Sequence, residues 1–380
     1  MTYADLMLHT PESSTKLASY YGRAFAHAVE LYMVTAYLTD WNAELVLNER
    51  CSRFRVIIGK DFGITRKAAC RSLLDWLPGS RKGQFLVAQD IDGFHPKAVF
   101  WREKNGECFA IIGSSNFTRA AFESNYEANV CHEISVGDFA AAKGWVKGIE
   151  SRSIVVSEDW LESYHEAPRA GGKGAKGKPQ RPASETLLAL PSPKGMQKRL
   201  RERRTQLEEY AANRAGLEKL FRRCATGKIT PEKFYDDLPR YWGGEAGGRM
   251  QGSGWEIKGK HSDLKVLTES YLRIVSAGDD ERDDVVVEEI DRLAAREIPT
   301  RKAFLSEMLC LRFPDRYPLL NQPVEAFIRD AGFKAPRGAS EGVRYLSLAR
   351  QLRHSLRQSP KHPAKNLAEL DTVIWLEYGE

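Results

Sequence analysis

Two segments of the chain hold side chains that together can bind and cleave a phosphate ester. His95 and Lys97 stand two residues apart, and Gly113-Ser114-Ser115-Asn116 follows at the end of the next apolar run. An imidazole can attack phosphorus or donate a proton, and a neighbouring ammonium stabilises charge on the non-bridging oxygens. Hydroxyl and amide groups offer further donors, and the carboxylate of Glu127 could orient the imidazole through its second nitrogen. We predict that these residues form one site.

Short apolar runs that alternate with helical patterns must position these residues. Strands are predicted within 29–38 and at 54–59, 85–88, 98–101, 109–112 and 128–131, and helices at 64–77 and 138–149. In a strand, His95 and Lys97 would point to the same face, because side chains two apart do so. The small residues after the next strand let a phosphate approach. Strands that alternate with helices indicate an α/β sandwich with a mixed sheet.

The order His-x-Lys, Gly-Ser-x-Asn and then an acidic residue resembles the HKD motif of the phospholipase D superfamily. Phe94-His95-Pro96-Lys97, with Gly113-Ser114-Ser115-Asn116-Phe117-Thr118, is similar to its bacterial nuclease branches, which include metal-independent restriction endonucleases. The resemblance is specific over 94–127 and extends over 1–166 as a nuclease domain. It implies a phospholipase D-like mixed β-sheet sandwiched by helices. Its site residues would be the catalytic His95, Lys97, Asn116 and Glu127 and the phosphate-binding Ser114 and Ser115.

The same resemblance implies a mechanism and an assembly. The chain holds one His-x-Lys, and family members with one copy form homodimers whose active site lies between the protomers. One His95 would form a phosphohistidine, His95 of the second copy would protonate the leaving oxygen, and no metal or cofactor would be required. Arg102 stands where longer forms of the motif have Asp, which the nuclease branch often lacks. Glu123, closer to Asn116, is the alternative acidic residue.

Positive charge is concentrated in the middle of the chain. Residues 167–231 hold 16 Lys and Arg against 5 Asp and Glu, whereas both flanking parts are slightly acidic. A basic Gly/Pro/Lys linker is predicted at 167–195. The helical pattern that follows carries a basic cluster that is predicted to bind nucleic-acid phosphates: Lys198, Arg199, Arg201, Arg203 and Arg204. A solvated linker and one exposed helix face are the simpler alternatives.

Residues 196–380 are predicted to form a mostly helical domain with a role in DNA recognition or regulation. Helical patterns cover 197–221, 263–277 and 284–296, and short helices broken at Pro314, Pro318 and Pro323 are expected between 300 and 358. Trp242 and Trp255 lie in Gly-rich surroundings and could stack on bases. A buried anchor is the commoner role of such residues.

The composition bounds the class of protein. With 42% hydrophobic and 28% charged residues, the 380-residue chain is globular. It has neither an apolar run of about 18 residues nor a secretion signal at its beginning, so a cytoplasmic protein is expected. The six cysteines include no Cys-x-x-Cys pair, which favours reduced buried thiols over zinc ligands or disulfides.

These observations together predict a metal-independent endonuclease, a phosphodiester hydrolase that cleaves nucleic acid, DNA more than RNA, in restriction or phage defence. The preference for DNA comes from the resemblance alone. One alternative is a related enzyme acting on a lipid or a small phosphodiester, against which the basic middle segment argues. The other is a non-catalytic nucleic-acid-binding protein that keeps a relic motif.

Overall fold

The computed structural model describes residues 4–10, 15–168, 187–243, 246–250, 259 and 262–379. The chain divides into two compact units, Met1–Thr186 with Pro336–Gly338, and Leu187–Ala335 with Ala339–Glu380. Each unit has a hydrophobic core of its own. Most of the predicted linker at 167–195 lies outside the described residues, and so does Trp255.

The first unit is built on an eight-stranded sheet. Its strands are β1 (Ala4–His9), β2 (Ala28–Thr35), β3 (Arg53–Ile58), β4 (Phe85–Val87), β5 (Lys97–Glu103), β6 (Cys108–Gly113), β7 (Glu127–Ile134) and β8 (Ile154–Val155). They lie in the order β1-β7-β6-β5-β2-β3-β4-β8. β3 is parallel to β2 and β4, and the other pairs are antiparallel. The prediction of a mixed sheet is confirmed.

Helices cover both faces of this sheet. They are α1 (Thr15–His27), α2 (Lys67–Trp76), α3 (Arg119–Glu123), α4 (Val136–Glu150) and α5 (Glu158–Ser163). α1 and α2 pack on one face in a core that includes Met33 and Trp101. α4 packs on the other face, against Tyr32 and Phe100. β2 and β5 are covered on both faces, and their middle residues, 31–34 and 98–101, are accordingly apolar rather than alternating.

One part of the sheet keeps an exposed apolar surface. α4 packs on β2, β5 and β6, and beyond it Leu6, Leu8, Ile112 and Val130 are exposed. Val130 pairs with Leu6 on one side and with Ile112 on the other, so the side chains lie together on one face. We call these four residues the open face.

The described part of the second unit is helical. Its helices are α6 (Met196–Ala225), α7 (Pro231–Asp237), α8 (Leu264–Ser276), α9 (Arg282–Ala295), α10 (Arg301–Arg312), α11 (Gln322–Asp330), α12 (Glu341–Arg357) and α13 (Leu367–Tyr378). The prediction that Pro323 breaks a helix was wrong. Pro323 lies in the first turn of α11, where proline is favoured. The N-cap of this helix is Asn321, whose side chain accepts a hydrogen bond from Val324 N. Among the described residues, no helix is long and apolar enough to cross a membrane.

Candidate active site

Four strand ends bring polar side chains to one edge of the sheet. Thr35, the last residue of β2, pairs with Lys97, the first residue of β5. Gly113 ends β6 and pairs with Asn129, near the start of β7. β5 and β6 are antiparallel neighbours, so the start of one lies beside the end of the other. The two motif segments therefore meet, as the sequence predicts.

His95 and Lys97 are in direct contact at this edge. Lys97 Nζ lies 3.0 Å from His95 Nδ1 and 3.3 Å from Nε2, and it donates to the His95 carbonyl oxygen at 3.2 Å. His95 precedes β5 rather than lying in it, which corrects the expected strand placement. Its exposed ring meets the Tyr37 ring edge-on, with 5.8 Å between the centroids. The imidazole thus faces solvent with a cation beside it.

The environment of Lys97 favours the loss of its proton. Burial lowers the pKa of the ammonium below its ordinary value, and the negative charge of Glu127 only partly opposes this effect. A lysine that is costly to keep charged gains from an anionic ligand, because the anion supplies the missing stabilisation of the charge. Lys97 is thus suited to bind a phosphate oxygen.

Glu127 is held by neighbours other than His95. Its Oε2 accepts a short hydrogen bond from Ser114 Oγ, and its Oε1 accepts from Asn125 Nδ2 at 3.1 Å. The Ser114 oxygen accepts in turn from the Ala128 amide at 3.0 Å. Ser114 therefore donates its hydroxyl proton to Glu127. Among the described residues, no hydrogen bond joins Glu127 to the His95 imidazole. Glu123, the alternative acid, is exposed, with Arg119 at 4.0 Å.

Asn116 presents a donor whose orientation is fixed. Its Oδ1 accepts from the Tyr37 backbone N–H at 3.2 Å and lies 3.3 Å from Thr35 Oγ1. A backbone N–H can only donate, so the amide oxygen must face it, and Nδ2 points elsewhere as a donor. Thr35 Oγ1 also accepts a hydrogen bond from the Phe117 backbone N–H at 3.2 Å. Thr35 was not predicted as a site residue, although a polar residue at the end of a buried strand indicates such a position.

Ser115 has a structural position rather than a phosphate-binding one, which corrects the prediction for it. The side chain is buried, and its Oγ accepts from Asn129 Nδ2 at 2.8 Å, while Asn129 Oδ1 accepts from the Ser115 amide at 3.3 Å. Asn129 thereby fixes the loop that follows β6. Gly113 leaves room for this arrangement, because a Cβ there would collide with Asn129 and with the Ala128 oxygen.

A second histidine lies beside the site and was missed by sequence reasoning. His9 ends β1 and pairs across the strands with Glu127. It is only 3% exposed, and neither ring nitrogen has a hydrogen-bond partner among the described residues. Cross-strand partners in an antiparallel pair lie with their Cβ atoms about 4.5–5.5 Å apart. The His9 side chain therefore lies next to that of Glu127 on the neighbouring strand.

The basic cluster lies on α6 and divides into two groups. Lys198, Arg199 and Arg201 are exposed, although Arg199 also pairs with Glu202 at 2.9 Å. Arg203 is buried, where Nη2 donates to Asp371 at 2.8 Å and Nε donates to Thr372. This burial corrects the prediction for Arg203. Arg204 is exposed on one side, but its Nε donates to Glu369 at 2.8 Å.

The described residues also show where Trp242, Arg102 and the cysteines lie. Trp242 is buried in the core of the second unit, so it cannot stack on bases in this conformation. Arg102 makes a short ion pair with Glu30, away from the motif edge. Within the described ranges, no group of three or more His, Cys, Asp and Glu side chains is placed to hold a metal ion. All six cysteines are buried and free.

Solved structures similar to this chain include two bacterial proteins. NucT from Helicobacter pylori aligns with a TM-score of 0.32 and 15% identity, over 41% of this chain and 99% of its own. A phospholipase D family member, Nuc from Salmonella typhimurium, aligns with a TM-score of 0.28 and 16% identity, over 40% of this chain and 94% of its own. No protein-family model and no curated protein matches the chain.

Proposed function

We propose that this chain is a phosphodiesterase of the phospholipase D type that cleaves nucleic acid with His95 as the nucleophile. The observation that supports this most is the contact of Lys97 Nζ with the His95 ring at 3.0 Å. The Asn116 amide lies at the same strand ends, with its oxygen already bound by the Tyr37 N–H. A nucleophile, a cation and an oriented donor are what attack on a phosphodiester requires.

The reaction consists of two displacements at phosphorus. First, a ring nitrogen of His95 attacks, a P–N bond forms, and the bond to the leaving oxygen breaks as that oxygen takes a proton from an imidazolium. Second, water attacks phosphorus, the P–N bond breaks, and the proton of the water returns to the second imidazole. Lys97 and Asn116 stabilise the non-bridging oxygens in both steps. Because these groups offset the developing charge, we propose cleavage without a metal ion.

We propose that the second imidazole is His95 of another copy of this chain. The chain has one His-x-Lys, and the open face offers a surface for pairing. Ser114 follows Ile112 by two residues, and Ala128 precedes Val130 by two, so the open face reaches the strand ends that carry the site. Burial of its leucine, isoleucine and valine side chains would stabilise a dimer by about 25 cal/mol per Å².

A charge placed on the open face tests this assembly. Leu8→Glu should dissociate the dimer and abolish cleavage, whereas Val46→Glu, at another exposed apolar position of the same unit, should do neither. Sedimentation and nuclease assays of the two variants give the answer. A monomeric Leu8→Glu protein with full activity would contradict the shared site.

We propose DNA as the preferred substrate, in restriction or phage defence, with phosphates of the substrate bound by Lys198, Arg199 and Arg201. The exposure of these three side chains on α6 supports the binding role. The test incubates the full chain with plasmid, single-stranded DNA, RNA and a phosphatidylcholine vesicle in EDTA. Cleavage of DNA is expected, with none by His95→Gln and full cleavage by His165→Gln, which changes an exposed histidine elsewhere in the first unit.

The outcomes of this assay separate the alternatives. Hydrolysis of the lipid alone would favour the small-phosphodiester enzyme. Salt-sensitive DNA binding without turnover on any substrate would favour a binding protein with a relic motif. Cleavage that needs magnesium and survives His95→Gln would overturn the site.

A further inference from the structure

The second unit contains a basic cleft outside the candidate active site. It has a volume of about 370 Å³ and lies between the end of α12 and the start of α13. Small-molecule sites typically measure about 300–1,000 Å³. The polar side chains that line it come from Asp315, Arg353, Arg357, Ser359, His362 and Lys365, among others. We call this the Arg353 cleft.

Positive charge exceeds negative charge in the Arg353 cleft. Arg353, Arg357 and Lys365 contribute three cations against the single carboxylate of Asp315. The His362 ring adds none, since Nε2 lies 3.0 Å from the Pro191 carbonyl oxygen and Nδ1 accepts from the Ala364 amide at 3.3 Å. One nitrogen thus donates and the other accepts, which is the neutral form.

Arg353 shares its nearest counter-ion, the buried carboxylate of Asp283, with two other arginines. The hydrogen bonds of that carboxylate go to other residues, since it accepts from Arg316 at 3.0 Å, from Tyr317 at 2.7 Å and from Arg350 at 2.9 Å. Among the described residues Arg353 forms no ion pair of its own. Its Nε is buried and has no hydrogen-bond partner in the part of the chain that the structure describes.

An anion in the cleft would make this arrangement more favourable. A buried cationic group that shares its counter-ion costs free energy, because it loses its hydration. Burial lowers the pKa of Arg353 to about 10, with a smaller contribution from the neighbouring Arg350 and against the opposing charge of Asp283. An anion in the cleft would add counter-charge to the one carboxylate that the arginines share.

We propose that the Arg353 cleft binds a phosphomonoester, either the phosphate of a nucleotide or the terminal phosphate of a nucleic-acid strand. A phosphomonoester carries about −1.5 to −2 charge at pH 7, more than the single charge of an internal phosphodiester, and more cationic than anionic side chains line the cleft. Guanidinium groups bind phosphate oxygens through paired hydrogen bonds, and Lys365 adds a point charge at the exposed rim. This proposal is independent of the nuclease site, because no residue is shared.

Calorimetric titration of the full chain tests this proposal. The probes are inorganic phosphate, AMP, and a ten-nucleotide DNA with either a 5′-phosphate or a 5′-hydroxyl, the DNA being titrated into the His95→Gln chain so that it stays intact. Phosphate and AMP should bind, and if the strand end is the source, the 5′-phosphate form should bind more tightly than the 5′-hydroxyl form. Arg353→Gln and Lys365→Gln should each weaken binding about tenfold. Lys228→Gln, an exposed lysine outside the cleft, should change nothing.

The outcomes decide both the site and the source. Binding of AMP without a preference for the phosphorylated strand assigns a nucleotide, and a preference for the phosphorylated strand assigns a strand end. Absence of binding by every phosphate probe overturns the proposal. Binding that is unchanged in both Arg353→Gln and Lys365→Gln also overturns the proposal. Because Lys365 is exposed, its variant remains informative if Arg353→Gln fails to fold.

Discussion

Replacement of Asn116 by Asp separates the chemistry of the site from its stability. The carboxylate keeps an oxygen where the Tyr37 N–H donates at 3.2 Å, so the loop retains its bond. On the other side, the Nδ2 donor becomes a second oxygen with negative charge, which faces the position proposed for the phosphate. The donor is lost and a repulsion is added.

The expected effects follow from these two changes. Loss of one preorganised donor to a developing oxyanion costs about 10²–10³ in rate, and the added charge increases that loss. The free energy of unfolding should change by no more than about 0.5 kcal/mol, as for most substitutions that break no buried contact. Asn116→Ala instead leaves the Tyr37 N–H without its acceptor and should lose about 1–3 kcal/mol as well.

Two measurements on the same preparations check this reasoning. Turnover of single-stranded DNA in EDTA gives the rate, and urea denaturation gives the free energy of unfolding. Asn116→Asp should be stable but inactive, and Asn116→Ala should be deficient in both. An Asn116→Asp chain that cleaves DNA at the wild-type rate would show that the amide does not touch the phosphate.

Further substitutions test the packing around the site and in the second unit. Gly113→Ala should lower stability by about 1–3 kcal/mol in urea denaturation, because the new Cβ meets backbone. Gly144→Ala, with open space in α4, should instead raise stability by about 0.5–1 kcal/mol, and equal effects of the two would refute the close approach. His9→Leu should raise stability by about 1 kcal/mol, because it removes buried ring nitrogens that have no hydrogen-bond partner within the described ranges; a loss of that size would show that the imidazole is hydrogen-bonded. Burial acts to raise the pKa of Asp283, but the three surrounding arginines hold it well below its ordinary value. Its stabilising contribution is therefore complete above the ordinary aspartate pKa of about 3.9 and is lost as the pH falls through its folded pKa. Asp283→Asn should be less stable at pH 7 by about 3–5 kcal/mol and should lose less stability on acidification than wild type, and parallel acid titrations of the two unfolding energies would contradict this.

The central strands and the meeting of the two motifs follow from the sequence. β2, β3, β5 and β6 each contain a run of consecutive apolar residues, and such runs predict buried strands regardless of their partners. Their closeness in the sequence brings His95 near Lys97, but strand alternation does not explain the contact, because His95 lies before β5. These features depend on residues that are close in the sequence.

The remaining features depend on partners that are distant in the sequence. Ser115 is buried because Asn129 lies on the neighbouring strand, and Arg203 is buried because Asp371 comes from α13. A hydroxyl after a strand and an arginine on a basic helix carry no local sign of those bonds. β1 was missed as well, because its six residues include no Val, Ile, Thr, Tyr, Phe or Trp. It is a strand through its pairing with β7.

The stereochemical course at phosphorus tests the central claim most directly. Each in-line displacement inverts phosphorus, so two displacements through a phosphohistidine on His95 give overall retention. The substrate is a DNA with one phosphorothioate of known configuration, cleaved in EDTA in water labelled with oxygen-18. Our account predicts retention of configuration. Inversion would show that water attacks phosphorus directly and would contradict His95 as the nucleophile.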